Sequence, residues 1–437
     1  MDQITRLGGW LTTLFSTLAD ELARETGFVE RMRAFSGSKF VRTLVFGWVK
    51  NTQATIEELA EELNVTESAL QQRLTPKSVA LMRTLLENAC AYYFAAVPQD
   101  TELTARFSKI YVEDCTSIKL LNSLSEEFPG CGGAEVGQGA AGWKALVRIE
   151  VKSGALAVVS WARGREHDLN LSRQAGDPPP GSLYLADLGF WCPERLDHMR
   201  KQGVSWISRV PAGATLSVNG QPREELTAFL SRQKSDRIDV QALLGEKAFS
   251  FRMVAVRCPA HIAAERKRKL RAKSKKRGRP VSRKQLIACE WLVLVTSLSQ
   301  DKCSIEELWT LYRVRWQIEL VFKRWKSLMD LDKSRARTNG SRQLTELYAK
   351  LLGCLVTHWT ALLRAGLLTK LSWYRILKRA KRAIGSLIER WDALAAEESV
   401  TAVLTKLAKR LNRLEPRPRR KKKPGTMELL QNPALVF

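Results

Sequence analysis

Tyr312, Arg315, Glu319 and Lys326 lie within the run SIEELWTLYRVRWQIELVFKRWKSLMDLDK, Ser304 to Lys333, which contains neither Pro nor Gly. The composition predicts one helix. At about 100° per residue, Arg315 stands roughly 60° from Tyr312, Glu319 roughly 20° and Lys326 roughly 40°, so all four share a face. A carboxylate between an Arg and a Lys, with a phenol beside it, suits a bound metal and a phosphate. The same spacing also describes a solvated charged face with i,i+4 ion pairs.

Chemistry at that carboxylate needs partners from other elements. From Phe107 the pattern alternates as in a strand: Ile110, Val112 and Asp114 on one side, Tyr111, Glu113 and Cys115 on the other. Further strands are expected at Ala145–Val151, Ala155–Trp161, Ser182–Ala186 (closed by Asp187), Val204–Val210 and Trp291–Ser297. A helix is expected around Pro193–Lys201. This succession resembles an RNase H-like α/β fold, in which one carboxylate sits on the first strand, one after the fourth and one on a late helix. Asp114, Asp187 and Glu319 occupy those places. Three carboxylates from separated elements can hold two divalent ions about 3.5–4 Å apart. Mg²⁺ suits such an all-oxygen site, with Mn²⁺ a possible substitute. Glu113 is a rival to Asp114, Asp187 could equally cap a helix, and Asp168, Glu194 and Asp197 are other acids nearby.

The flanks suggest nucleic acid. Residues 1–100 read as a helical domain. Thr55-Ile56-Glu57-Glu58 forms a capping box, and 55–74 resembles a helix-turn-helix with Glu67–Leu74 as its second helix. Leu59, Ala60, Leu63, Val65, Ala69 and Leu70 should pack together, leaving Gln71, Gln72 and Arg73 to reach bases or phosphates. Residues 101–370 form the catalytic domain, interrupted by a β-rich basic insertion at 211–290. Within it, Glu265 to Lys284 holds twelve Lys/Arg and one acid, so Arg266, Lys267, Arg268 and Lys269 are expected on the DNA backbone. A long apolar helix is expected from about Ser341 to Gly366. Residues 371–437 supply a helical dimerisation region and a polycationic tail, Arg417 to Pro424.

Bulk properties agree. Across 437 residues, 45% are hydrophobic and the formal charge is +26, which points to a polyanionic partner. The longest mainly apolar run, Leu351 to Leu363, contains His358 and is too short to span a bilayer. The start lacks a basic n-region and a cleavage site, so a cytoplasmic, nucleoid-associated protein is expected. Eight cysteines without a CxxC pair, and four scattered histidines, give no zinc pattern. They read as reduced structural thiols. No GxxxxGK[ST] or HExxH occurs.

The spacing Tyr-(2)-Arg-(3)-Glu-(6)-Lys, together with Tyr111-Val112-Glu113-Asp114 and Asp187-Leu188-Gly189-Phe190, resembles the bacterial cut-and-paste insertion-sequence transposases of the DDE superfamily, the hairpin-forming group. The resemblance spans roughly residues 40 to 370. It implies metal ligation by Asp114, Asp187 and Glu319, and phosphate contacts from Tyr312, Arg315 and Lys326. It implies that Trp291 and Trp316 flank a base flipped from the hairpin, and that a homodimer pairs two ends of double-stranded DNA. Two positions depart from the family pattern: Cys115, where a small residue is common, and Leu188, where a polar or basic one is. The alternatives are a structure-selective nuclease of the same fold and an inactive DNA-binding relative.

Overall fold

The architecture was obtained as a computed structural model describing residues 2–31, 34–131, 140–276, 278, 280–391, 396–416 and 424–436. The described strands are β1 (Ile110–Leu120), β2 (Ala141–Glu150), β3 (Ala155–Arg163), β4 (Leu183–Ala186), β5 (Ser205–Arg209), β6 (Thr215–Val218), β7 (Glu224–Glu225), β8 (Arg237–Leu244), β9 (Phe249–Arg257) and β10 (Trp291–Thr296). The chain divides into two compact units. One comprises Met1–Gln99, Cys115–His167 and Trp316–Met427; the other comprises Asp100–Asp114, Asp168–Arg315 and Glu428–Phe437.

The first unit is built around helix Gly340–Leu362, in which every residue from Gln343 to Leu362 is buried. A helix apolar on all sides cannot be left in water. Helices Gln3–Phe15, Gly37–Lys50, Pro76–Ala91 and Trp373–Gly385 pack around it. The N-terminal and late helices therefore share one core. Its buried charges Glu346 and Lys350 are matched. Lys350 and Glu346 form an ion pair of 2.7 Å. Lys350 also donates to the Lys333 carbonyl at 2.8 Å, and Glu346 accepts from Ser334 at 2.7 Å, tying down the segment that follows helix Trp316–Met329.

Strands β3-β2-β1 lie side by side in this unit, with β2 and β3 antiparallel. The β2–β3 turn is fixed by Gly154 at φ +75°. A Cβ there would come within 2.6 Å of Leu362, so the position demands glycine twice over. The Gly154 carbonyl meets His358 Nε2 at 2.8 Å.

In the second unit the strand order is β1-β4-β5-β10-β9-β8-β6-β7. β1, β4 and β5 are parallel, and all four residues of β4 are buried, as expected of a short apolar run in a parallel sheet. The expected insertion at 211–290 lies between β5 and β10. Its antiparallel strands β9, β8, β6 and β7 extend the same sheet beyond β10. Its basic portion is mostly helical, at Ala260–Lys276.

No helix among the described residues is long and apolar enough to cross a membrane. The eight cysteines are free thiols.

His358 supplies a pH test of the helical core. Burial pushes its pKa down to about 4, against the opposing hydrogen bond to the Gly154 carbonyl. The unfolded chain, with a histidine near 6.5, takes up the proton first. Stability should therefore fall as pH drops from about 6.5 to about 4. His358→Gln, which can still donate to Gly154, should flatten that part of the curve in thermal melts. Equal slopes in variant and parent would show that His358 does not carry the effect.

Candidate active site

Asp114 is on β1 and Asp187 directly follows β4. The register of these parallel neighbours, Ile110↔Leu183 to Val112↔Leu185, places Asp114 opposite Asp187 when continued at the same offset. Parallel strands run about 4.8 Å apart, so the backbone alone brings two carboxylates together. Between them stands one guanidinium nitrogen. Arg315 Nη1 lies 3.9 Å from Asp114 Oδ2 and 3.9 Å from Asp187 Oδ2.

Neighbouring groups hold this arrangement. Asp187 Oδ1 accepts the Leu188 N–H at 2.7 Å, capping a single 3₁₀ turn through Phe190. Tyr312 donates its hydroxyl to the Ala186 carbonyl at 3.3 Å, one residue before Asp187. Arg315 lies over the Tyr312 ring, 5.8 Å from its centroid. Burial pushes the Tyr312 phenol well above its usual range, so it remains a protonated donor at neutral pH.

Glu113 and Asp114 differ in burial. Glu113 is fully buried and accepts hydrogen bonds from Ser172 and from Tyr184, the latter at 3.0 Å. Arg195 in turn donates to Ser172 at 2.5 Å and pairs with Asp177 at 2.8 Å. This network ties β1 to β4 and to helices Asp168–Gln174 and Pro193–Lys201. It braces the strands from within the core. Glu113 was visible beside Asp114 in the sequence, but nothing in the spacing marked Ser172 or Arg195. Among the other acids, Asp197 is buried against Arg200 and Lys201.

The expected single signature helix is two helices, Ile305–Val314 and Trp316–Met329, with Arg315 between them. The Arg315 N–H bonds the Tyr312 carbonyl at 3.1 Å, a three-residue closure that tightens the helix end. Tyr312 and Arg315 belong to the strand-rich unit; Trp316, Glu319 and Lys326 belong to the helix-rich one. Glu319 is in the first turn of the second helix and half-buried. Lys326 reaches the Ser117 carbonyl of β1 at 3.4 Å.

The two tryptophans differ. Trp316 is 54% exposed, so it does not fill the core. Trp291 is 2% exposed, with Arg257 4.4 Å from its ring centroid. Base stacking at Trp291, expected from the sequence, would need this indole uncovered.

The other expected DNA contacts also divide. Thr55 forms its capping box with Glu58, and Asn64 takes the left-handed conformation that turns the chain between helices Ile56–Leu63 and Glu67–Arg73. Gln71 and Gln72 are exposed, whereas Arg73 turns toward the Phe28 carbonyl. Ala69, expected in the packed face, is exposed. On the basic helix, Arg266 donates to the Trp291 carbonyl at 3.0 Å, and Lys267 pairs with Glu290 at 2.5 Å. These two brace the start of β10 instead of facing outward. Arg268 and Lys269 are exposed, with Lys269 paired to Glu265 at 2.6 Å. The basic tail from Arg417 to Lys423 lies outside the described residues.

Among the described residues, no three His, Cys, Asp or Glu side chains cluster closely enough to hold a metal ion by themselves. The Asp114–Asp187 pair nevertheless fits a hard cation. Its donors are carboxylate oxygens, and one positive group already stands within 3.9 Å of both.

A family model described as a transposase DDE domain matches residues 106–352, more than half of the chain. The chain belongs to the DDE transposase family. It is similar to the transposase for insertion sequence element IS231F of Bacillus thuringiensis subsp. israelensis, 28% identical over 430 residues that cover 90% of this chain and 87% of the relative. The putative transposase InsL for insertion sequence element IS186A of Escherichia coli (strain K12) is 43% identical over 278 residues, covering 60% of this chain and 70% of the relative. The transposase for insertion sequence element IS1151 of Clostridium perfringens is 20% identical over 405 residues, covering 86% and 84%. The DDE match takes in Asp114, Asp187, Glu319 and Lys326. It leaves the helix-turn-helix and the last helices outside.

Arg315 gives the site its own test. Without the guanidinium, two neighbouring carboxylates repel. Arg315→Ala should melt below the parent in EDTA at pH 7, and added Mg²⁺ should raise its Tm more than the parent's. An unchanged Tm in EDTA would contradict the role given to Arg315.

Proposed function

We propose that this chain is a DNA transposase that moves an insertion sequence by cut-and-paste, on an RNase H-like core. The observation that carries the reading is the Asp114–Asp187 pair, set on adjacent parallel strands with one Arg315 nitrogen 3.9 Å from an oxygen of each. The DDE family match supports it, as do relatives named as insertion-sequence transposases along nearly the whole chain. The parallel β1-β4-β5 arrangement, with antiparallel β2 and β3, supports the fold.

Asp114, Asp187 and Glu319 are the proposed ligands for two Mg²⁺ ions, with Mn²⁺ as a substitute. When bound, such ions polarise the phosphodiester and lower the pKa of an attacking water or 3′-hydroxyl. The remaining work belongs to side chains. Arg315 keeps its charge at all relevant pH and presents paired donors to phosphate oxygens. Lys326 adds a point charge, and Tyr312 a neutral donor. Trp316 offers an exposed indole on which an unpaired base can stack, worth about 1–3 kcal/mol.

Nicking by water, hairpin formation by the freed 3′-hydroxyl, hairpin opening and joining to target DNA are all in-line phosphoryl transfers. One carboxylate centre serves all four. Gln71 and Gln72 face outward for end recognition, and a homodimer holds paired double-stranded ends.

Asp114→Ala, Asp187→Ala and Glu319→Ala should each abolish Mg²⁺-dependent cleavage of duplex carrying the element's own ends, while binding to those ends persists in a gel-shift assay. Full cleavage by any one of them removes that residue from the ligand set. Joining of pre-cut ends to a plasmid separates a transposase from a nuclease of the same fold: the parent should join, and cleavage without joining would favour the nuclease.

A further inference from the structure

Helices Trp373–Gly385 and Ala396–Asn412 pack against one another in the helix-rich unit. Two packed helices usually meet along apolar stripes repeating every three or four residues. Here Ile376, Leu377, Ala380 and Ile384 do turn into the core. Arg379 and Arg382 on the first helix, with Ser386 and Arg390 just beyond its end, and Val403, Lys406 and Arg410 on the second, with Arg413 just beyond its end, line one concavity. This cavity has a volume of about 470 Å³. Six of its lining side chains are Arg or Lys, and no acid is among them.

One cation is structural. Arg379 crosses the groove and donates to the Arg410 carbonyl at 2.7 Å, at the end of a helix where carbonyls lack helical partners. Arg382, Lys406, Arg410 and Arg413 are exposed. Like charges gathered around one concavity raise the local potential and attract counter-ions. Arginines in that setting match phosphate oxygens in pairs.

We propose that this cavity is a phosphate-binding groove for a nucleic-acid backbone, separate from the carboxylate site. Its occupant is duplex DNA, bound without regard to sequence, because the lining offers cations and short apolar contacts rather than a set of paired donors and acceptors for base edges. The proposal stands on the cavity's own charge and does not require that the chain cut DNA.

The test uses the full chain with Arg382, Lys406 and Arg413 replaced together by Gln. Exposure of all three favours retention of the fold, checked by circular dichroism; each single variant is measured beside the triple. A control replaces Arg24, Arg83 and Lys370, which are exposed and outside the groove. Affinity for a duplex of arbitrary sequence is measured from low to moderate salt. The magnitude of the log K against log[salt] slope should fall by about 2–3 in the cavity triple, at roughly 0.9 for each phosphate no longer neutralised, and should hardly change in the control. An equal slope change in both triples, or none in the cavity triple, overturns the proposal. So does a cavity triple that loses thermal stabilisation by sodium tripolyphosphate yet keeps the parent's duplex slope, since the groove would then serve a small polyanion. Cleavage by Asp114→Ala, or its loss, leaves this result unaffected, so the two readings fail separately.

Discussion

Two carboxylates on neighbouring parallel strands are an electrostatic problem before they are a catalytic site. Continuing the β1–β4 register sets Asp114 opposite Asp187, and two anions that close repel unless a positive group intervenes. The chain meets this with one guanidinium 3.9 Å from an oxygen of each. Its position depends on the arrangement around it. Tyr312 docks on the Ala186 carbonyl, the helix closes at Arg315, and the buried Glu113–Ser172–Arg195–Asp177 network fixes the strand ends. A pair of anions that needs a cation to coexist is also a pair able to receive one.

Much of this was legible in the residues. Alternation at Ile110–Cys115 located β1, and the apolar run before Asp187 located β4, because a buried parallel strand has little choice of composition. The capping box at Thr55 marked its helix start. The break at Arg315 was not legible. Every residue from Ile305 to Met329 tolerates a helix, and the interruption coincides with a tertiary contact of the Tyr312 hydroxyl that local propensity cannot register. Nor could spacing separate Trp291, locked beneath Arg257, from Trp316, left in solvent.

Positive charge proved a poor guide to exposure. Arg266 and Lys267 sit in the most basic stretch, yet they are used to satisfy a backbone carbonyl and a carboxylate at the start of β10. Long cationic side chains bury their stems readily, so a charge run in sequence mixes braces with contacts. The Arg382–Lys406 groove shows the converse. Its cations are scattered along the sequence and gathered only by helical periodicity. The buried helix Gly340–Leu362 explains why distant helices share a unit: an element apolar on every side recruits cover from both ends of the chain.

The central claim is that Asp187 donates an oxygen to a catalytic divalent ion. Replacing it with cysteine offers a thiolate, which a hard ion such as Mg²⁺ accepts poorly and softer Mn²⁺ accepts better. Cleavage of duplex bearing the element's own ends by Asp187→Cys should be lost in Mg²⁺ and substantially recovered in Mn²⁺, with the parent active in both. Undiminished cleavage by Asp187→Cys in Mg²⁺ would contradict direct ligation and with it the account of the site.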